Sequence, residues 1–205
     1  MTRAGFIWAK LTRNESALAR LGLPFDRLLA ELEGQSIALV GNARALAQTP
    51  HGAAIDAADL VVRLNAAPMP ATASHGHRTD WMAISVPVAP AVIAARAPRR
   101  IIWMTPRRKR LAYRLAHDPR LALYPAARAA ALIGTLGARA TTGALMIDML
   151  TAANCARIDL YGFDFFQSLS LSGQRDATRV PHDFAAERAW VDRLMRSDPR
   201  LHLHR

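Results

Sequence analysis

Short apolar runs alternate with segments of helical periodicity along this chain. Such runs, bounded by turn residues, predict buried β-strands, and strands that alternate with helices are typical of a largely parallel sheet. We predict strands in residues 36–40, 59–64, 81–84, 101–104, 121–124 and 157–162 (the last with its terminating turn), and an edge strand in 201–204. We predict helices in residues 43–48, 141–150 and 183–195. The fold expected is a single Rossmann-like α/β domain with a mostly parallel twisted sheet flanked by helices.

The length of 205 residues suits one domain with a short extension. We assign residues 1–34 to an N-terminal helical extension and residues 35–205 to the α/β domain. Within the extension, an amphipathic helix would place Phe6, Ile7, Trp8 and Leu11 opposite Arg3, Lys10 and Arg13. Two interpretations stay open, a helix docked on the protein's own core and a helix on an anionic membrane surface.

The net charge of +11 raises the question of an anionic partner. Of the 27 basic residues only Lys10 and Lys109 are lysines, a bias that indicates GC-rich coding more than selection for phosphate binding, so we expect no nucleic-acid partner. The densest cluster comprises Arg99, Arg100 and residues 107–110. Solvated strand ends and a surface for an anionic partner both explain it.

Cysteine content and hydropathy restrict the compartment. Cys155 is the only cysteine, which excludes an internal disulfide and a cysteine-based zinc cluster. No run of 18 apolar residues occurs, and the first residues do not resemble a signal peptide. We therefore expect a cytoplasmic protein, with peripheral membrane contact as an open possibility.

Polar and small residues follow several of the predicted strands. Gly41 and Asn42 follow the first strand, Asn65 follows the second, and Gly162 ends the sixth. Ligands of parallel sheets bind beyond the carboxyl ends of the strands, so these residues and the loop before Thr142 should share one edge.

Each of these motifs has a structural and a functional interpretation. Gly41 and Asn42 suit a plain strand-to-helix turn or a close approach to an anionic ligand. Asn65 suits a turn cap or a hydrogen bond to a base or ribose. The segment Thr141, Thr142 and Gly143 suits a helix cap or a cradle for phosphate or carboxylate.

His182 also has two interpretations, a surface or capping residue and a general base. Several other motifs are absent. The sequence lacks Gly-x-Gly-x-x-Gly, the P-loop, His-Glu-x-x-His and Asp-x-Asp, so we expect no metal and no bound cofactor.

In order and spacing, the segments resemble the animal-type sialyltransferase family (glycosyltransferase family 29). Residues 37–68 are similar to its long motif, and residues 76–79 to the Gly-x-Lys/Arg-Thr that follows. Residues 141–163 are similar to its short motif, and His182 with Glu187 to the His-x4-Glu of its very short motif.

The resemblance implies roles for individual residues. Asn42 and Asn65, with Gly41, would bind the cytidine monophosphate (CMP) part of a CMP-sugar donor. Thr141, Thr142 and Gly143 would lie near its ribose, phosphate and sugar carboxylate. His182 would be the general base, and Glu187 would orient its helix.

The chain departs from the family pattern in two places. The family's third motif has no counterpart between residues 164 and 181, so its phosphate-side histidine is missing, and we suggest that Arg175 or Arg179 contacts the phosphate instead. Ser36 stands where the family has the disulfide partner of Cys155. The chain resembles a minimal, bacterial-style member.

The reaction implied is inverting, metal-independent transfer of sialic acid or a related ulosonic acid, such as Kdo, from a CMP-sugar to a hydroxyl of a glycan or lipid-linked acceptor. Two alternatives stay open. One is a non-catalytic nucleotide- or RNA-binding module, and the other is a degenerate member of the fold that serves as a scaffold.

Overall fold

Seven parallel strands form one sheet in the computed structural model, which describes residues 1–164 and 182–204. The strands are β1 (Ser36–Val40), β2 (Leu60–Leu64), β3 (Trp81–Ile84), β4 (Arg100–Trp103), β5 (Leu121–Leu123), β6 (Arg157–Tyr161) and β7 (Leu201–His204). Their order is β5-β4-β3-β2-β1-β6-β7, and every pairing is parallel. The predicted α/β fold and its parallel sheet are confirmed.

Ten α-helices connect or flank the strands in the described residues. They are α1 (Arg3–Leu11), α2 (Glu15–Ala19), α3 (Phe25–Ala30), α4 (Gly52–Ala57), α5 (Thr72–His75), α6 (Pro90–Arg96), α7 (Tyr113–Ala116), α8 (Ala126–Leu136), α9 (Thr142–Ala152) and α10 (Phe184–Ser197). Two 3₁₀-helices cover Arg44–Gln48 and Arg108–Arg110.

The core has two layers because side chains alternate between the faces of each strand. Leu39 and Leu160 face a large cluster that includes residues of α3, α8, α9 and α10. On the opposite face, Ala38 and Tyr161 contribute to a small cluster near α4, and Met82 to a second cluster that includes Phe6 of α1 and Leu18 of α2. Both faces of the sheet are therefore buried, as a parallel sheet requires.

The N-terminal segment is not one continuous amphipathic helix. Arg13 has a left-handed φ of 53°, and Asn14 then caps α2 by accepting a hydrogen bond from the amide of Ala17. Farther along, Leu23 pairs with Ala122 beside β5, and Pro24 precedes α3. These breaks divide residues 1–32 into three short helices that pack on the faces of the sheet, while Leu23 pairs with its β5 edge.

The segment predicted as a helix over residues 43–48 is a 3₁₀-helix over Arg44–Gln48. Pro50 disfavours helical geometry at the residue before it, so the segment has no room to extend into a longer α-helix. Leu46 is buried and anchors the segment against the turn after β6, where its side chain lies beside Gly162.

Candidate active site

The strand order reverses between β1 and β6, and the region outside their carboxyl ends is called the crevice below. Strands β2 to β5 are added on one side of β1, and β6 and β7 on the other. Ligands of open α/β sheets bind outside the strand ends at such a reversal. Gly41 follows β1 and Gly162 follows β6, so both predicted glycine turns lie at this point.

Two backbone hydrogen bonds join the turns after β1 and β6. The amide of Gly41 donates to the carbonyl of Tyr161 over 2.7 Å, and the amide of Ala43 donates to the carbonyl of Gly162 over 3.1 Å. A Cβ atom on Gly41 would lie 2.4 Å from the carbonyl oxygen of Gly162. The close approach of the two turns therefore explains this glycine without a ligand.

Phe163 extends the contact from the turns to α9. A Cβ atom on Gly143 would lie 2.7 Å from Cε1 of the Phe163 ring, and one on Gly41 would lie 3.1 Å from its Cδ2. The ring thus packs close to both glycines. It holds the first turn of α9 near the ends of β1 and β6.

Asn65 lies at the end of β2 with a left-handed φ of 51°, a conformation that asparagine tolerates better than most residues. Its Oδ1 accepts a hydrogen bond from the amide of Ser85 (2.9 Å), and its Nδ2 donates to Oγ1 of Thr142 (3.4 Å). Arg96 of α6 donates to the backbone carbonyl of Asn65. The predicted proximity of Asn65 and Thr142 is therefore present.

Asn42 is half-buried at the carboxyl end of β1, next to Gly41. Asn42 and Asn65 follow neighbouring parallel strands, because β1 pairs with β2. Two side-chain amides thus lie at one edge of the sheet, and each amide carries both hydrogen-bond donors and an acceptor.

Thr141 caps the N-terminus of α9 and is held by a buried glutamate. Its Oγ1 accepts a hydrogen bond from the amide of Ala144 (3.1 Å). The amide of Thr141 donates to Oε1 of Glu187 (2.6 Å), and its hydroxyl donates to Oε2 (2.8 Å). Glu187 thereby ties the first turn of α10 to the start of α9. This contact agrees with the expectation that Glu187 orients its helix.

Burial raises the pKa of Glu187 to about 7, although its hydrogen bonds from Thr141 lower the pKa. A negative charge at this position would lie beside the helix N-terminus, where backbone amides favour anions. Around neutral pH the protonation state of Glu187 therefore sets part of the charge at the start of α9.

His182 lies at the entrance of α10, directly before the helix cap Asp183. Its Nδ1 lies 2.6 Å from the carbonyl oxygen of Arg139. Because a carbonyl only accepts hydrogen bonds, Nδ1 carries the proton, and in the neutral ring Nε2 is then the basic nitrogen. Arg139 shortly precedes Thr141, so a second contact joins the entrances of α9 and α10.

The remaining sequence predictions concern two arginines, metal ligands, the cysteine and membrane-spanning helices. Arg175 and Arg179 lie outside the described residues. Among residues 1–164 and 182–204, no three His, Cys, Asp or Glu side chains group as ligands for a metal ion. Cys155 is buried with a free thiol, and Ser36 donates from its hydroxyl to Asp59. Over the same described ranges, no helix combines the length and the hydropathy that a bilayer span requires.

Two residues that help to form the site, Arg96 and Arg139, were not identified from the sequence. Phe163 was expected at this edge, because it follows Gly162 at the end of a predicted strand. Arg96 holds the backbone of Asn65 from α6, and Arg139 orients His182 through its carbonyl. Neither arginine belongs to a recognisable pattern, because each contact joins segments that lie far apart in sequence.

Comparison with known proteins agrees with this architecture. Residues 13–111 match the model of glycosyltransferase family 29 (sialyltransferase). No curated protein sequence matches the chain.

Solved structures of low sequence identity share the fold. A mammalian sialyltransferase superimposes with a TM-score of 0.63 at 18% identity, over 88% of this chain and 77% of that one. A mammalian sialyltransferase in complex with Gal-beta-1-3GalNAc-ortho-nitrophenol gives 0.61 at 20% identity, over 88% and 78%. The sialyltransferase CstII from Campylobacter jejuni, in complex with cytidine-5'-monophosphate, gives 0.57 at 14% identity, over 83% and 80%. The match over residues 13–111 confirms the resemblance of the chain to glycosyltransferase family 29 (sialyltransferase), and the solved sialyltransferases share its fold.

Proposed function

We propose that this protein is an inverting, metal-independent glycosyltransferase that uses a CMP-sugar. It would move sialic acid, or a related ulosonic acid such as Kdo, to a hydroxyl of a glycan or lipid-linked acceptor. One observation carries the proposal. The capped N-terminus of α9 lies at the strand-end crevice beside Asn65, and the carbonyl of Arg139 just before it orients the ring of His182.

The edge of the sheet offers both hydrogen-bond donors and hydrogen-bond acceptors for the proposed substrate. The side-chain amides of Asn42 and Asn65 supply donors and acceptors for a cytosine base and its ribose. Thr142 and the backbone amides at the start of α9 supply donors for a phosphate and a sugar carboxylate. C. jejuni CstII, which shares this fold, was solved in complex with cytidine-5'-monophosphate, and this supports a nucleotide-sugar donor.

The proposed reaction needs a CMP-sugar donor, an acceptor hydroxyl and one base. The bond between the anomeric carbon and the CMP phosphate oxygen breaks, and the electron pair leaves with CMP. The acceptor oxygen forms the new bond to the anomeric carbon from the opposite face, and its proton moves to Nε2 of His182. Amides at the start of α9 would stabilise the charge that develops on the phosphate.

Arg175 and Arg179 remain proposed phosphate contacts. An arginine pairs with phosphate through two parallel hydrogen bonds, so either residue could replace the histidine that the family places there. If Arg175→Ala and Arg179→Ala each left turnover intact, this assignment would be wrong.

The variant His182→Ala tests the proposed base. We expect turnover of CMP-sugars, followed by CMP release with a panel of glycan acceptors, to fall by roughly 10²–10⁴-fold, while CMP affinity is retained. His77→Ala is the matched control, because His77 is exposed and pairs with Asp56 away from the crevice. Loss of CMP binding in His182→Ala would instead assign a structural role to this histidine.

A further inference from the structure

The outer face of α1 is apolar. In the described part of the chain, the large apolar side chains that are exposed are Met1, Ile7, Trp8, Leu11 and Tyr113. All of them lie on or next to this one helix. Ile7, Trp8 and Leu11 are 50%, 69% and 74% exposed. Single exposed apolar residues are common on protein surfaces, whereas a group of them marks an interaction surface.

The helix is fixed to the protein through its other side. Phe6 and Ala9 are buried in the cluster behind β3 and β4. The ring of Phe6 packs edge-on against Tyr113 at 5.5 Å, and Nζ of Lys10 donates to the carbonyl of Leu111 over 2.8 Å. The apolar outer face is therefore held in place by the folded protein.

Helical geometry gathers the exposed residues into one stripe. At 100° per residue, Ala4, Ile7, Trp8 and Leu11 lie within about a third of the helix circumference. The side that faces away from the core thus carries apolar side chains where a solvent-exposed helix normally carries polar ones.

Exposed cations lie near this stripe, on α1 and in a neighbouring segment. The segment from Arg107 to Arg114 lies beside α1, as the Lys10 and Tyr113 contacts show. Six exposed basic side chains of the two segments form no ion pair with any described residue: Arg3, Arg13, Arg107, Lys109, Arg110 and Arg114. Residues 1–14 and 99–117 contain no Asp or Glu. The acids that follow these two segments are both paired, Glu15 with Arg108 and Asp118 with Arg120.

We propose that this surface docks the protein on an anionic lipid bilayer, with the stripe of α1 at the boundary of headgroups and acyl chains. An apolar stripe with a cationic rim is the arrangement that binds membrane interfaces. With nine residues, α1 is about 14 Å long, so it lies in the plane of the surface and does not span the bilayer. The positive rim disfavours a second copy of the chain, and the apolar stripe disfavours a nucleic acid.

The test uses the whole protein and vesicles of phosphatidylcholine with or without phosphatidylglycerol. We expect binding to the anionic vesicles in sedimentation, weakening with salt, and little binding to phosphatidylcholine alone. Trp81, Trp103 and Trp190 are buried, so a blue shift of the tryptophan emission on binding reports Trp8. Trp8→Phe should remove this shift and retain most of the binding.

Two double variants separate the parts of the surface. Ile7→Ser with Leu11→Ser, and Arg107→Glu with Arg110→Glu, should each weaken vesicle binding by about tenfold or more. Arg193→Glu with Arg196→Glu makes the same charge change on exposed residues of α10 and should leave binding unchanged. An unaltered circular dichroism spectrum controls for folding.

Two results would overturn the proposal. One is binding of the Ile7→Ser, Leu11→Ser variant to anionic vesicles with wild-type affinity. The other is a concentration-dependent dimer in sedimentation velocity that the same variant abolishes, which would assign the stripe to self-association. Neither depends on donor chemistry, so the outcome is independent of the proposed enzymatic function.

Discussion

The crevice at β1 and β6 and the outer face of α1 differ in whether their side chains have partners within the protein. At the crevice, Thr141 and Asn65 form hydrogen bonds with residues from distant parts of the chain. On α1, Ile7 and Leu11 contact solvent although they are apolar. The first region is fixed by its internal contacts, so a substitution there should change stability as well as binding. The second contributes little to folding, so a substitution there should alter binding alone.

The largest effect expected at the crevice is a pH dependence that Glu187 imposes on stability. Its pKa is about 7 in the folded state and near 4.5 when unfolded. Between these values the folded state holds the proton and the unfolded state does not, so stability falls as pH rises from about 4.5 to 7 and then levels off. This contribution amounts to about 3 kcal/mol.

Urea unfolding of the wild type and Glu187→Gln across this pH range measures the effect. The difference between the two profiles isolates Glu187, because all other titrating groups are common to both proteins. We expect the Gln variant to lack the fall. Parallel profiles would show that Glu187 titrates near its ordinary pKa.

Gly41→Ala should destabilise the protein by about 2 kcal/mol, because the new Cβ would lie 2.4 Å from a backbone oxygen that cannot move without its turn. Gly134→Ala is the matched control. A Cβ at Gly134 in α8 has no neighbour within 4 Å, so alanine there should stabilise by roughly 0.5–1 kcal/mol. Equal effects of the two changes in thermal unfolding would contradict the tight junction of the β1 and β6 turns.

Asn65→Asp should cost about 1 kcal/mol or less in stability, because aspartate tolerates the left-handed backbone and still accepts the hydrogen bond from Ser85. It loses the Nδ2 donor and adds a negative charge. We therefore expect CMP affinity, measured by calorimetry, to fall by about tenfold. Unchanged affinity would remove Asn65 from the proposed donor site.

The smallest effect on stability is expected on the outer face of α1. Trp8→Ala should change the free energy of unfolding by less than about 0.5 kcal/mol. Phe6→Ala, on the opposite side of the same helix, should cost about 3 kcal/mol because Phe6 is buried. A large loss for Trp8→Ala would show that the stripe belongs to the core.

The sheet was predictable because each strand is a short apolar run closed by a turn residue. Ser36–Val40 and Trp81–Ile84 have the predicted bounds, and β4 and β5 differ at their ends by a residue. The N-terminal segment was less predictable, since the left-handed Arg13 and the pairing of Leu23 with Ala122 depend on tertiary contacts.

The site was predictable where it follows from strand ends. The common edge of Asn65 and Thr142 required only a parallel sheet and the loop before a helix. The contacts of Glu187 with Thr141 and of His182 with Arg139 join residues more than 40 positions apart. Local pattern does not encode such pairs, and the resemblance to a family suggested only the positioning role of Glu187.

The most direct test of the proposed donor site is thermal unfolding with and without CMP, with UMP and NAD as controls. A ligand at 100 times its dissociation constant stabilises by about 2.7 kcal/mol, and each kcal/mol raises the midpoint by roughly 2–4 °C at this size. We predict a rise of several degrees with CMP alone. No rise at millimolar CMP, or an equal rise with all three nucleotides, would contradict the account.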